Sequence, residues 1–161
     1  MSDTQAPALQ APALQAPVIQ TIGYEGTTID SVIRTLSNAH TRLLIDVRAV
    51  PQSRKPGFSK RQLAAALDEA GIAYIHLQAL GTPKPGRDAV RAGHPEKMIA
   101  LYKQHITGDR PQAELHQAVQ LAKERTACLL CFERDHRMCH RRLIAEMISA
   151  ETGQPVTHLA V

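Results

Sequence analysis

Hydrophobic residues along this chain follow two rhythms. Short, nearly continuous apolar runs occur at residues 18–22, 43–47, 72–77, 126–132 and 156–160. Their length and continuity predict strands buried on both faces. Between them, apolar residues recur at i, i+3, i+4 and i+7, as in Ile29, Val32, Ile33 and Leu36, which is the spacing of one buried helix face. Thr27 or Thr28 can cap that first helix, with Asp30 well placed against its dipole.

The same spacing predicts a helix with a stripe of Leu63, Ala66, Leu67 and Ala70, opened by Ser59 in a capping box with Gln62 and stopped by Gly71. Two more open at Pro95 (Met98, Ile99, Tyr102, Ile106) and Pro111 (Leu115, Ala118, Val119, Ala122). A last one runs from Cys139 to near Gly153 on Leu143, Ile144, Met147 and Ile148. Two stretches break the rhythm: Arg48–Phe58, and Leu80–His94 with three glycines and two prolines. The second reads as a long loop, either a lid or disordered.

Strands alternating with helices predict a single α/β domain over residues 17–161. It is expected to hold a mostly parallel five-stranded sheet with helices on both faces, in Rossmann-like or flavodoxin-like layering with the strand order open. Residues 6–20 repeat Ala-Pro-Ala-Leu-Gln twice and then Ala-Pro-Val-Ile-Gln. A proline every fifth residue opposes regular structure, so residues 1–16 are expected to be a flexible tail outside the fold.

Composition changes this picture little. Aromatic residues are 3% of the chain and Trp is absent, so the core must be aliphatic. The formal net charge of +4 includes the lone Asp3 of the first twenty residues and leaves +5 on the rest, a balance that suits an anionic partner without requiring one. Three cysteines do not make a disulfide framework. No apolar run is long enough to span a bilayer and no secretory signal is evident, so a cytoplasmic protein without membrane contact is expected.

In a parallel sheet the carboxyl ends of all strands share one edge, and the residues just beyond them converge there. The first strand delivers Gly23, Tyr24 and Glu25; the second Asp46 and Arg48; the third His76; the fourth Cys131 and Glu133, leading to Cys139. Asp46 needs a partner at the end of an aliphatic strand, and Arg48 is in reach. The pair is read either as a loop anchor or as a substrate-positioning group. Five cations and no acid lie between Arg48 and Arg61; among them Arg54, with Ser53 beside it, is the best anion ligand inside the loop.

Cys128 and Cys131 spell C-x-x-C, but residues three apart in a strand face opposite sides, so a zinc pair is not expected and Cys128 reads as core. Cys131 lies where strand meets charged loop, and both core and site readings stay open. Cys139 starts the last helix with Arg137, His140 and Arg141 nearby, an environment that lowers a thiol pKa. It is the best nucleophile or redox candidate, with packing of the helix start as the other reading. His140 points inward on the helix wheel, as core residue or catalyst, whereas Arg142 pairs outward with Glu146.

Several ordered motifs resemble one family. Thr-Ile-Gly-Tyr-Glu (21–25), Asp-Val-Arg-x-x-Pro-x-Ser-Arg (46–54) with Gly-Phe-Ser (57–59), Gly-Ile-x-Tyr-x-His-Leu (71–77), Leu-Gly (80–81) and Cys-Phe-Glu-Arg-Asp-x-x-x-Cys-His-Arg (131–141) are similar to domain-of-unknown-function family 488, over about residues 19–161. The resemblance implies a single α/β domain and marks Asp46, Arg48, Ser53, Arg54, Cys131, Glu133, Cys139, His140 and Arg141 as motif positions. It implies no reaction.

The expectation is therefore an enzyme acting on an anionic, phosphate-bearing substrate, a nucleotide or a nucleic acid. Asp46, Cys131, Glu133, Cys139 and His140 are its catalytic candidates, and Tyr24, Arg48, Ser53, Arg54, His76 and Arg141 its substrate-binding candidates. The alternative is a non-catalytic nucleic-acid or protein-binding module. No cofactor is expected, and a metal site of Cys131, Cys139 and His140 ranks third because their spacing matches no familiar zinc motif.

Overall fold

The computed structural model describes residues 16–161. The tail expected over 1–16 lies outside them, Ala16 excepted. The chain forms β1 (Ile19–Gly23), α1 (Ile29–Asn38), β2 (Leu43–Asp46), α2 (Lys60–Glu69), β3 (Ala73–His76), α3 (Lys84–Arg91), α4 (Pro95–His105), α5 (Asp109–Glu124), β4 (Ala127–Cys131), α6 (His140–Thr152) and β5 (Val156–His158). Single 3-10 turns precede α3 (Gln78–Leu80) and α6 (His136–Met138).

The five strands make one sheet in the order β3-β2-β4-β1-β5, and every pair is parallel. Leu129 of β4 pairs with Thr21 of β1 on one side and Ile45 of β2 on the other. One face buries Ile22, Leu44, Cys128 and Leu130 under Val32 and Leu36 of α1 and Leu63 and Leu67 of α2. The opposite face buries Ile19, Leu43, Ile45 and Leu129 under α4, α5 and α6, with Met98, Tyr102, Ala118, Val119 and Ile144 in contact. Each Leu or Ile so buried contributes roughly 1.5–3 kcal/mol before chain entropy is counted.

This topology locates the site. The chain runs outward from β1 through β2 to β3 on the α1–α2 face, then returns to insert β4 between β2 and β1 on the other face. Helices after β1 and β4 thus leave their neighbouring strands on opposite faces, which opens a crevice at the carboxyl ends of β1, β4 and β2.

Two expectations need correction. The stretch Leu80–His94 is not a long loop, since it carries α3. Pro85 stands in its first turn, where a missing N–H costs nothing, and Gly93 (φ +82°) follows its end. Gly86 sits inside α3 where a side chain would run into the Thr82 side chain. The capping box at α2 also does not form: Ser59 is the N-cap residue but makes no cap hydrogen bond, and Gln62 accepts from the Gly57 N–H instead. At α1, Thr28 accepts from the Ser31 N–H.

Candidate active site

Close backbone contact at the crevice begins with two glycines. A side chain at Gly23 would collide with the Glu133 carbonyl, and one at Gly81 with the Ala49 backbone. The first lets the loop after β4 lie against the end of β1, where the Tyr24 and Glu25 N–H groups donate to the Cys131 and Phe132 carbonyls at 3.3 and 2.9 Å. The second brings the segment leading to α3 against the loop after β2. Between them is a cleft of about 540 Å³ lined by Tyr24, Glu25, Arg48 and Ser53 on one side, Thr82, Arg87, Arg91 and Met98 on another, and Cys131, Phe132, Glu133, Cys139 and His140 along its floor.

Asp46 and Arg48 form a bidentate pair. Arg48 Nε and Nη2 donate to the two carboxylate oxygens at 2.9 and 2.8 Å, the Arg48 N–H donates at 3.1 Å, and the Tyr74 hydroxyl donates at 2.6 Å. Asp46 is fully buried and has no accepting capacity left to offer a substrate. The remaining Arg48 nitrogen, Nη1, donates to the Phe58 carbonyl at 2.7 Å and the Tyr24 hydroxyl at 3.1 Å. Burial opposes the charge on Arg48, but Asp46 outweighs it and holds the guanidinium above its ordinary value. Burial and the Asp46 carboxylate push the Tyr74 phenol up, and burial, against the pull of Arg48, raises Tyr24. Tyr24 is stacked on Phe58 at 4.3 Å.

The second cluster sits where β4 turns into α6. Cys131 ends β4, Cys139 is the N-cap residue of α6 and His140 opens that helix; all three are buried. His140 Nε2 lies 2.8 Å from the Val47 carbonyl, so it carries the proton and donates. Nδ1 then faces both sulfurs, each at 3.8 Å. The Cys131 thiol lies 3.4 Å from Glu133 Oε2.

Charge in this cluster is concentrated on one pair. Burial raises the Cys139 thiol, but the Cys131 thiol donating to it and the His140 imidazolium beside it outweigh burial and hold it well below the ordinary range. Cys131 goes up, first because it donates to Cys139 and then through burial. Burial depresses His140, yet the Cys139 thiolate more than restores it. Glu133 is pushed up to about 7 by burial and by the negative Cys139. The floor of the cleft thus presents a Cys139 sulfur biased towards the thiolate, an imidazole biased towards its protonated form, a second thiol and a carboxyl group able to hold a proton near neutrality. Among the described residues, Cys131, Cys139 and His140 are also the group whose donor atoms lie within 4.8 Å of one another and can hold a metal.

Of the expected site residues, the fold brings Tyr24, Arg48, Ser53, Cys131, Glu133, Cys139 and His140 to the cleft. Asp46 stands behind Arg48. His76 lies outside the cleft and bonds the Arg48 carbonyl at 2.8 Å. Arg54 lines a shallow neighbouring groove with Lys60 and Arg61, which joins the cleft through Val50, Gln52 and Ser53. Arg141 is buried with its guanidinium committed to Thr21 Oγ1 and the Glu133 and Arg134 carbonyls. It fastens the β4–α6 loop from behind and does not face the cleft. Cys128 lies on the other face of the sheet.

Arg87 and Arg91 escaped the sequence reading because they sit in the stretch taken for a loop. The signal that could have found them was proline near a helix start and glycine past its end, with two arginines four apart between. Arg87 donates to the Thr82 carbonyl at 2.9 Å, and Arg91 is exposed with Asp88 3.9 Å away. Phe132 and Val50, two of the large apolar side chains left exposed, also stand on this cleft.

No helix among the described residues is long and apolar enough to cross a membrane. No curated protein and no solved structure matches the chain. A family model described as a domain of unknown function, DUF488, matches residues 28–148, which takes in the Asp46–Arg54 and Cys131–Arg141 motifs but leaves out residues 21–25. With three quarters of its length under that model, the chain belongs to the DUF488 family.

Proposed function

We propose that this protein is an enzyme using Cys139 as a nucleophile on an anionic, phosphate-bearing substrate bound in the cleft at the carboxyl edge of its sheet. The observation that carries this reading is the Cys139 sulfur, 3.8 Å from an imidazole nitrogen of fixed tautomer, on the floor of a cleft whose walls hold Arg48, Arg87 and Arg91. A sulfur paired with an oriented imidazole is the arrangement of an activated thiol.

In the covalent step the Cys139 sulfur attacks the electrophilic carbon or phosphorus beside the anion. The bond to the leaving group breaks, and the leaving group departs with the Glu133 proton. Water then attacks the same centre, Glu133 takes its proton back, and the Cys139 thiolate is released. His140 holds the sulfur's charge through both steps. Arg87 and Arg91 hold the substrate's anionic oxygens, since the Arg48 guanidinium is largely committed to Asp46, Tyr24 and Phe58. The adjoining groove with Arg54, Lys60 and Arg61 favours a substrate carrying more than one phosphate, such as an oligonucleotide, over a lone small anion.

Iodoacetamide labelling read thiol by thiol by mass spectrometry tests this. Cys139 is expected to react first, and a short oligonucleotide to protect it. If Cys139 is no faster than Cys128 while an oligonucleotide still binds with a steep dependence on salt, the enzyme reading is overturned in favour of a binding module.

A further inference from the structure

Three donors on the cleft floor have the dimensions of a metal site. Tetrahedral zinc holds sulfur at about 2.3 Å and nitrogen at about 2.0–2.1 Å, which sets sulfur-to-nitrogen edges of roughly 3.6 Å and sulfur-to-sulfur edges of roughly 3.8 Å. His140 Nδ1 lies 3.8 Å from each of the Cys131 and Cys139 sulfurs, and the three donors fall within 4.8 Å of one another. Both nitrogen-to-sulfur edges are close to those of such a tetrahedron, and the sulfur-to-sulfur edge is at most 4.8 Å.

The surroundings suit a ligand set as well. His140 Nε2 donates to the Val47 carbonyl at 2.8 Å, the outer hydrogen bond that metal-binding histidines characteristically make, and this turns Nδ1 towards the sulfurs, where a metal ion would take the place of its proton. The donors are held by the last residue of β4 and by the N-cap and first residue of α6, and buried Arg141 ties α6 to Thr21 of β1 and to the Glu133 and Arg134 carbonyls of the loop after β4. Two sulfurs and one imidazole form a soft set that selects zinc over magnesium or calcium. The fourth position opens to the cleft, with the Glu133 carboxylate 3.4 Å from the Cys131 sulfur.

We infer that Cys131, Cys139 and His140 bind one zinc ion, and that the bound ion silences Cys139 by taking up the sulfur lone pair its attack requires. The inference rests on the same cluster as the proposed nucleophile and adds a ligand that controls it. Spacing alone could not show it, because Cys139 and His140 are sequence neighbours and the donor set closes only when β4 and α6 meet.

Cobalt(II) titration of the reduced, metal-free full chain reads the site directly. One equivalent is expected to give a near-ultraviolet sulfur-to-cobalt charge-transfer band that zinc abolishes. Cys139→Ser should lose much of its intensity, and Cys128→Ser, on the other face of the sheet, should keep all of it. Native mass spectrometry of the unmutated chain with zinc gives a readout that needs no variant: one bound ion is expected. Zinc should also slow Cys139 alkylation to the rate of Cys128, and a chelator should restore it.

No band and no bound ion would overturn the inference, and a Cys139 that still alkylates first would leave the proposed enzyme standing. A stoichiometric band with a Cys139 that is slow even in the metal-free chain would support the zinc site and overturn the nucleophile.

Discussion

Two buried charged pairs flank the same crevice, Asp46–Arg48 after β2 and Cys139–His140 after β4, and they differ in what they leave unpaired. Every oxygen of Asp46 and every nitrogen of Arg48 has a protein partner, from Tyr74, Tyr24, the Phe58 carbonyl and the pair itself. At the second pair, His140 is anchored on its far side by the Val47 carbonyl, while the sulfurs of Cys139 and Cys131 line the cleft with only His140 Nδ1 at 3.8 Å and, for Cys131, Glu133 Oε2 at 3.4 Å as side-chain partners. Burial of charge by itself therefore says little about chemistry. Saturation with hydrogen bonds fits the first pair to architecture, and spare bonding capacity towards a cavity is why the second is the one proposed to react.

The largest expected effect breaks the reactive half alone. Cys139→Ser should remove the fast-labelling thiol entirely and leave the melting temperature nearly unchanged, because serine is close in size and burial favours a neutral His140 once the neighbouring sulfur is gone, so no charge is stranded. Labelling that persists on Cys131 at the wild-type rate would show that the two sulfurs are equivalent and would dissolve the distinction.

The structural half should fail in the opposite way. Arg48→Ala leaves a buried carboxylate without its counter-charge, at a cost of about 3–5 kcal/mol, which lowers the melting temperature by roughly 6–20 °C for a chain of this size. Replacing both partners, Asp46→Leu with Arg48→Met, should recover only part of the loss, since the buried counter-charge problem disappears but the Tyr74 hydroxyl and the Phe58 carbonyl lose their partners. A thermal melt decides this; an Arg48→Ala protein as stable as the parent would make the pair functional and not architectural. The sequence-based assignment of Arg48 and Arg54 as joint anion ligands is sharpened accordingly: only Arg54 is free of a structural duty.

A smaller effect is expected at the cleft wall. Arg87→Ala with Arg91→Ala should weaken oligonucleotide binding about tenfold or more, the worth of one to two charge-assisted hydrogen bonds, with stability within about 0.5 kcal/mol because both side chains reach solvent. Fluorescence anisotropy at fixed salt reads it, and unchanged affinity would move the anion site to the groove of Arg54, Lys60 and Arg61.

The smallest effect lies outside both pairs. Burial, with His136 stacked at 3.6 Å and Arg141 and Arg142 nearby against a single Glu146, holds His158 below the ordinary imidazole range. The unfolded chain then binds the proton more readily, so the stability contributed by neutral His158 is present above about pH 6.5 and is lost as pH falls below it. Urea midpoints at mildly alkaline and mildly acidic pH should diverge less in His158→Gln than in the parent. Equal divergence would assign the slope to another group.

Strands and helices were legible in the sequence because hydrophobic period is a local property: Leu43–Asp46 and the Ile29–Leu36 stripe needed only their own neighbours to be recognised. The carboxyl-edge rule likewise gathers Tyr24, Asp46, Arg48, His76, Cys131, Glu133 and Cys139, because parallel strands put their ends on one side whatever their order, although His76 falls outside the cleft. Tertiary structure alone decided the rest. It set β4 between β1 and β2, which makes Cys131 and Arg48 neighbours across the crevice. It turned Arg141 inward to the loop carbonyls, a choice made by the close approach at Gly23 and not by any periodicity. It carried α3 across the cleft with Arg87 and Arg91, and it closed Cys131, Cys139 and His140 into one donor set. Such distances arise from the packing of segments remote in sequence, and a local pattern holds no record of them.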